Sequence, residues 1–276
     1  MNQPNNPNLP FFAYGIFKEG QISHFRIKNY IKEIKRDVAI NGQLHIRDGI
    51  TIINLNNAEK IVTGNLIWFE QDNCTNAYQQ ICDLEPKKYY KWGTAVIDGS
   101  EANVLVGINP STSSTEYVEE WDSWNDALFT VSFEIIDETI QNSRNDSAEN
   151  GKQFLRLQMA YLLLWSAIER FVALRYNFRG EHVMTNVFKL SEEPIFTALL
   201  QNCKNHRVLY STDNVDNKKR FDKDKPLSCI KYYYQLRSNI THRGKASVTD
   251  AILVNECLIE LTDIFKALLI HAKENS

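Results

Sequence analysis

Short runs of alternating apolar and polar residues fill the chain up to about position 110, and long apolar stretches with helical spacing dominate beyond 150. Pro10-Phe-Phe-Ala-Tyr14 predicts a first strand and residues 37–46 a second. Asp48-Gly49 is a hairpin turn signal, followed by a strand over 50–55. Further strands are expected at 61–69, 92–97 and 103–108, with a short helix at 75–84. Strands at this spacing, with few short helices, predict a small mixed barrel or curved sheet. Residues 111–124 are Ser/Thr-rich, then acidic and Trp-bearing, and read as a connection. A helix over about 126–141 and a polar loop over 142–151 follow. Residues 153–176 are apolar nearly all round, the pattern of a helix at the centre of a bundle. Helices are expected at 194–202, 226–241 and 249–272, the last capped by Thr249 or Asp250.

The pattern predicts an α+β chain with a barrel-like domain at 9–110, a connection with a possible first helix at 111–150, and an all-α bundle at 151–276. Charge changes with it. Residues 151–276 hold 19 Lys+Arg against 13 Asp+Glu, a balance of +6. The whole chain has 31 and 34, so residues 1–150 hold the remaining 12 against 21, a balance of −9. A basic half suits a polyanion, and equally a solvated surface. Five cysteines without paired spacing point to free thiols and not to a zinc site. A polar, Pro-bearing amino terminus reads as no signal peptide, and the apolar run 159–168 as too short to span a bilayer. A cytoplasmic protein is expected, with no membrane partner.

Two segments carry candidate chemistry. Arginine presents a planar, permanently charged fork to a phosphate, and histidine titrates near neutrality. An Arg and a His with four to six residues between them occur twice, as Arg237/His242 and Arg175/His182. The second pair straddles Arg179-Gly180, where the central helix is expected to end. Only the first, at the end of a credible helix, merits a chemical role; both its side chains are expected to project towards one region. In the first half, Phe11-Phe-Ala-Tyr14-Gly15-Ile16-Phe17 is an apolar strand entering a glycine-bearing loop, and Glu85 stands at the end of a short helix.

Leu236-Arg-Ser-Asn-Ile-Thr-His-Arg-Gly244, before a long last helix, resembles the HEPN superfamily over about residues 125–272. Many of its helical bundles are metal-independent ribonucleases. The resemblance implies that Arg237 holds the scissile phosphate, that His242 exchanges a proton at the reacting oxygens, and that two protomers meet at the site. Asn239, Arg243 and Lys245 would support it. Glu169 would orient Arg237 or His242, or only pair with a surface cation. Without chemistry, the Arg237/His242 pair would cap a helix or line an interface.

The segment from Phe11 to Phe17, with Ile81-Cys-Asp-Leu84-Glu85 and Tyr89-Tyr90, resembles the γ-glutamylcyclotransferase-like family over 9–110. That family closes 5-oxoproline from a γ-glutamyl compound and expels an amine. The resemblance implies Glu85 as proton shuttle, with Tyr14, Gly15, Ile16, Phe17 and Tyr90 binding substrate. The chain departs from the family pattern at Ile16, Cys82 and Pro86. Taken alone, Glu85 would be a solvated helix-end charge. Together the resemblances imply two metal-free, cofactor-free activities, on a γ-glutamyl small molecule and on RNA or a nucleotide, in a homodimer suited to stress response or defence. The alternative is a ligand-sensing barrel fused to a dimerisation or nucleotide-binding module.

Overall fold

The computed structural model describes residues 1–276 apart from 48, 57–59, 111–115, 146–150, 177–182, 206, 212–215, 217 and 244–247; of 116, 144, 145, 242, 243 and 248–250 it describes the backbone alone. The chain is mixed α/β and divides into two compact units, residues 1–125 with 174–179 and 273–276, and residues 126–173 with 180–272.

The first unit is built on a curled, half-barrel sheet. Its strands are β1 (Phe11–Ala13), β2 (Ile31–Asn41), β3 (Gln43–Arg47), β4 (Ile50–Asn54) and β5 (Ile61–Phe69). After helix α1 (Cys74–Leu84) come β6 (Tyr90–Ile97), β7 (Ser100–Gly107) and β8 (Glu116–Tyr117). The strand order is β2-β5-β1-β7-β4-β3-β8, with β6 also on β7. Two parallel pairings, β1 with β7 and β4 with β7, place three non-sequential strands side by side at the centre. The turn at 48–49 joins β3 to β4 with Arg47 opposite Ile50, and Gly49 has φ +75° there; Asp48 lies outside the described residues. Asp98-Gly99 does the same between β6 and β7, with φ of 50° and 81° and Ile97 opposite Ser100. Positive φ at both central residues is what a two-residue hairpin loop requires.

The expected strand 37–46 is two strands broken at Gly42, and the first begins at Ile31. Its outer half, with burial falling at every third residue, hides the alternation of a strand. A register shift between Lys35 and Val38, with Asp37 at φ 53°, marks a bulge in this edge strand.

Helix α1 buries Cys74, Ala77, Tyr78, Ile81 and Cys82, a stripe at intervals of three and four. Tyr78 locks it in place. Its ring meets those of Phe69, Phe11 and Trp92 edge-on at 5.3–6.3 Å, and its hydroxyl donates to the Leu9 carbonyl and accepts from Asn103.

The second unit contains α2 (Val131–Asn145), α3 (Gly151–Arg175, shared with the first unit at its end), α4 (Val183–Phe188) and α5 (Pro194–Leu200). Then come β9 (Arg207–Tyr210), β10 (Lys218–Phe221), α6 (Pro226–Arg243) and α7 (Val248–Glu274). It is therefore not all-helical: β9 and β10 form an antiparallel hairpin with Phe221 opposite Arg207. Phe221 is fully buried against Tyr232 and Tyr233, which is why so charged a segment folds as a strand. Thr249 and Asp250, expected as the cap, lie inside α7, which starts at Val248. Leu157, Leu164, Ile168 and Phe171 of α3 are buried, but Leu155 and Met159 are 57% and 70% exposed. One side of this apolar helix is therefore open. By length and composition α3 could cross a membrane, with 61% of its most apolar window buried within the protein.

Candidate functional site

The stripe that buries α1 has its next step at Glu85. The residue ends the helix, with its amide donating to the Ile81 carbonyl and its backbone extended at φ −75°, ψ 130° ahead of Pro86. A carboxyl group is thereby carried into the core instead of into solvent, and Glu85 is only 5% exposed. Burial raises its pKa from the ordinary carboxylate value to about 8. Its charge in turn adds to the burial that pushes the Tyr14 and Tyr90 phenols well above their usual range. Both phenols stay protonated, and both are hydrogen-bond donors: Tyr14 to the Leu105 carbonyl at 2.6 Å, Tyr90 to the Thr51 carbonyl.

These residues line one pocket with Gly15, Ile16 and Phe17. All six positions expected from the first-half motif thus come together. They arrive by three routes: Tyr14 to Phe17 as β1 leaves the sheet, Glu85 from α1, and Tyr90 as the first residue of β6. The loop turns through a Lys18 amide donating to the Gly15 carbonyl, and Ser23 donates to Ile16. Among the described residues, the amides of Gly15, Ile16 and Phe17 donate to no backbone or side-chain acceptor. Unused donors beside a cavity are suited to an anionic group. The cavity measures about 10 Å³, enough for about one water.

Two lining residues had no sequence signal, Thr51 and Leu105. A Cβ at Gly15 would come within 2.5 Å of the Thr51 hydroxyl, so the glycine is fixed by that close approach. Nothing along the chain announces a contact between a loop and a strand so far downstream.

The second candidate site lies on α6. Arg237 Nη2 is 3.3 Å from Glu169 Oε1 on α3, each side chain being 28% exposed, and its guanidinium lies 5.5 Å from the Tyr234 ring. Partial burial raises the Glu169 pKa, and Arg237 opposes that rise. Asn239 accepts from Gln235 and donates to the Tyr210 carbonyl. His242 and Arg243 belong to the last turn of α6 with side chains outside the described residues; Lys245, Arg179, Gly180 and His182 lie outside them altogether. Since α6 runs unbroken through position 243, positions 237 and 242 are roughly 140° apart about its axis. The expectation that the pair projects into one region turns on the His242 side chain, which lies outside the described residues.

The five cysteines are buried free thiols. Among the described residues no cluster of His, Cys, Asp or Glu is arranged to hold a metal ion. Compared with protein-family models, curated proteins and solved structures, the chain matches none.

Proposed function

We propose that the first unit closes 5-oxoproline from γ-glutamyl compounds and releases an amine. The observation that carries this reading is the buried Glu85 carboxyl, with its pKa near 8, in one pocket with Tyr14 and Tyr90. In the reaction the substrate α-nitrogen attacks the γ-carbonyl carbon, a ring C–N bond forms, and the C–N bond to the leaving amine breaks. Ionised Glu85 takes the proton from the attacking nitrogen and returns it to the departing one, which suits a group titrating near the working pH. The unused amides of Gly15 to Phe17 hold the substrate carboxylate. A cavity of about 10 Å³ holds no γ-glutamyl group, so the 14–17 segment must move aside for substrate.

The test is 5-oxoproline release from a panel of γ-glutamyl amines and peptides. We expect turnover by the wild-type chain and a loss of about 100-fold or more in Glu85→Gln. Saturable binding with no turnover of any compound would instead identify a ligand sensor.

For the second unit we propose metal-independent cleavage of RNA by Arg237 and His242. Its support is the Glu169–Arg237 pair, which holds a guanidinium at the surface of the helix that also bears His242. The wide angle between positions 237 and 242 favours a site completed by a second copy. Purified protein incubated with RNA and EDTA should degrade it, and Arg237→Ala and His242→Ala should each abolish the loss. Cleavage that survives both substitutions rejects the assignment.

A further inference from the structure

The β9–β10 hairpin has two unlike faces. Pairing places Tyr210 opposite Lys218, Leu209 opposite Lys219, Val208 opposite Arg220 and Arg207 opposite Phe221. Side chains alternate across a strand, so Arg207, Leu209, Lys219 and Phe221 share one face. That face is the anchor. Leu209 and Phe221 are buried, and Arg207 stacks over Phe221 while its Nη2 reaches Glu260 of α7 at 2.6 Å. The other face carries Val208, Tyr210, Lys218 and Arg220, all exposed. Tyr210 is 50% exposed, with the Lys218 ammonium 5.3 Å from its ring centre.

Among the described residues no carboxylate forms an ion pair with Lys218 or Arg220. The Asp222 carboxylate accepts the Asp224 amide and pairs with Lys225, and its carbonyl receives Ser228 and Cys229 at the start of α6. Arg220 has no ion pair among the described residues. The hairpin is also tied to the candidate RNA site. Asn239 donates to the Tyr210 carbonyl at 2.9 Å and is itself held by Gln235. Positions 235, 239 and 242, spaced by four and three, share one face of α6. The exposed aromatic–cation face therefore ends beside the helix face that bears position 242.

We propose that this face binds single-stranded RNA and leads it to position 242, with Tyr210 stacking on a base and Lys218 and Arg220 meeting phosphates. A two-cation face with one exposed ring fits a single strand, whose bases are open to stacking, better than a duplex. The proposal rests on the ribonuclease reading for the identity of the polyanion, but binding and cleavage are separable. The experiment is fluorescence anisotropy of a labelled oligouridylate with the full chain, in a His242→Ala background so that nothing is cut. Tyr210→Ala should weaken binding about tenfold, and Tyr210→Phe should leave it unchanged. Lys218→Ala with Arg220→Ala should weaken it about as much and reduce the slope of log affinity against log salt by about 1.4. Circular dichroism and thermal melting verify that each variant is folded. Unchanged affinity in folded variants, or equal affinity for duplex RNA, overturns the proposal. If hairpin variants lose binding while the wild-type chain never cleaves, the ribonuclease reading alone fails. If cleavage proceeds and the hairpin variants bind normally, this proposal alone fails.

Discussion

Glu85 makes the clearest demand on its surroundings. A carboxyl with a pKa near 8 in the folded protein, against an ordinary value of 4.5, binds its proton more tightly folded than unfolded. Its contribution to stability is fully present below the unfolded value and is lost as pH rises through 8. Each tenfold of that preference corresponds to about 1.4 kcal/mol. Glu85→Gln keeps the shape and removes the charge. We therefore expect it to raise stability by at least about 1 kcal/mol more at pH 8.5 than at pH 5, measured by urea denaturation. On the proposed cyclotransferase reading, the same ionisation predicts turnover that rises with pH up to about 8. A variant no more favourable at high pH than at low would show that Glu85 is not buried as described. The carboxylate was legible in the sequence only through the family resemblance, together with the residues around Tyr14; taken alone it read as a solvated helix-end charge, and its place on the buried side of α1 emerges only from the fold. Thr51 was not, because its place in the site is set by strand pairing and not by any local pattern.

Among the elements, those with strong periodicity and clear punctuation were legible: β4, β5, α1, α3, α6 and α7 begin and end close to where turn residues and apolar spacing place them, whereas α2 starts at Val131, five residues late, and runs to Asn145 through the start of the expected loop. The misses share a cause. The outer half of β2 and the β9–β10 hairpin are short, charged and stabilised by contacts with distant residues, so their own residues hardly express a strand. Edge strands rich in Lys resist pairing with other chains, and that function conceals them. The tight centre of the sheet makes the opposite prediction. A Cβ at Gly64 of β5 would lie 2.5 Å from the Ala13 carbonyl oxygen and 2.8 Å from the Phe12 ring. Neither a backbone oxygen nor a buried ring can yield cheaply. Gly64→Ala should cost about 1–3 kcal/mol, seen as a lower urea midpoint with an unchanged slope. Since Ala13 leads directly into Tyr14, the same variant should weaken binding at the Glu85 pocket; wild-type stability would mean that the sheet is looser there than its contacts imply.

At the scale of the molecule, the sequence announced the change of character between its halves but not where the chain divides. Composition shifts near 150, whereas the contacts divide at 125/126 and return 174–179 and 273–276 to the first unit. Strand order was equally hidden, because the parallel pairings of β7 join residues far apart in the chain. Helices α2 and α3 enclose a groove of about 680 Å³ lined by Ile135, Met159, Leu162 and Leu163, with Glu138 and Arg156 in the same lining. An apolar centre beside one acid and one base would be self-complementary under a two-fold axis, which would set Arg156 against the Glu138 of a second copy and bury Met159. This is the surface we propose for a second copy. A charge placed at that centre should be intolerable, so Met159→Asp is expected to weaken dimerisation by about tenfold or more without altering the helical signal in circular dichroism. Sedimentation equilibrium of the full chain reads the first quantity and circular dichroism the second. A wild-type chain that is monomeric under the conditions of RNA cleavage would remove the dimer and the two-protomer site together. A dimer that withstands Met159→Asp would move the interface elsewhere and leave the cleavage reading intact.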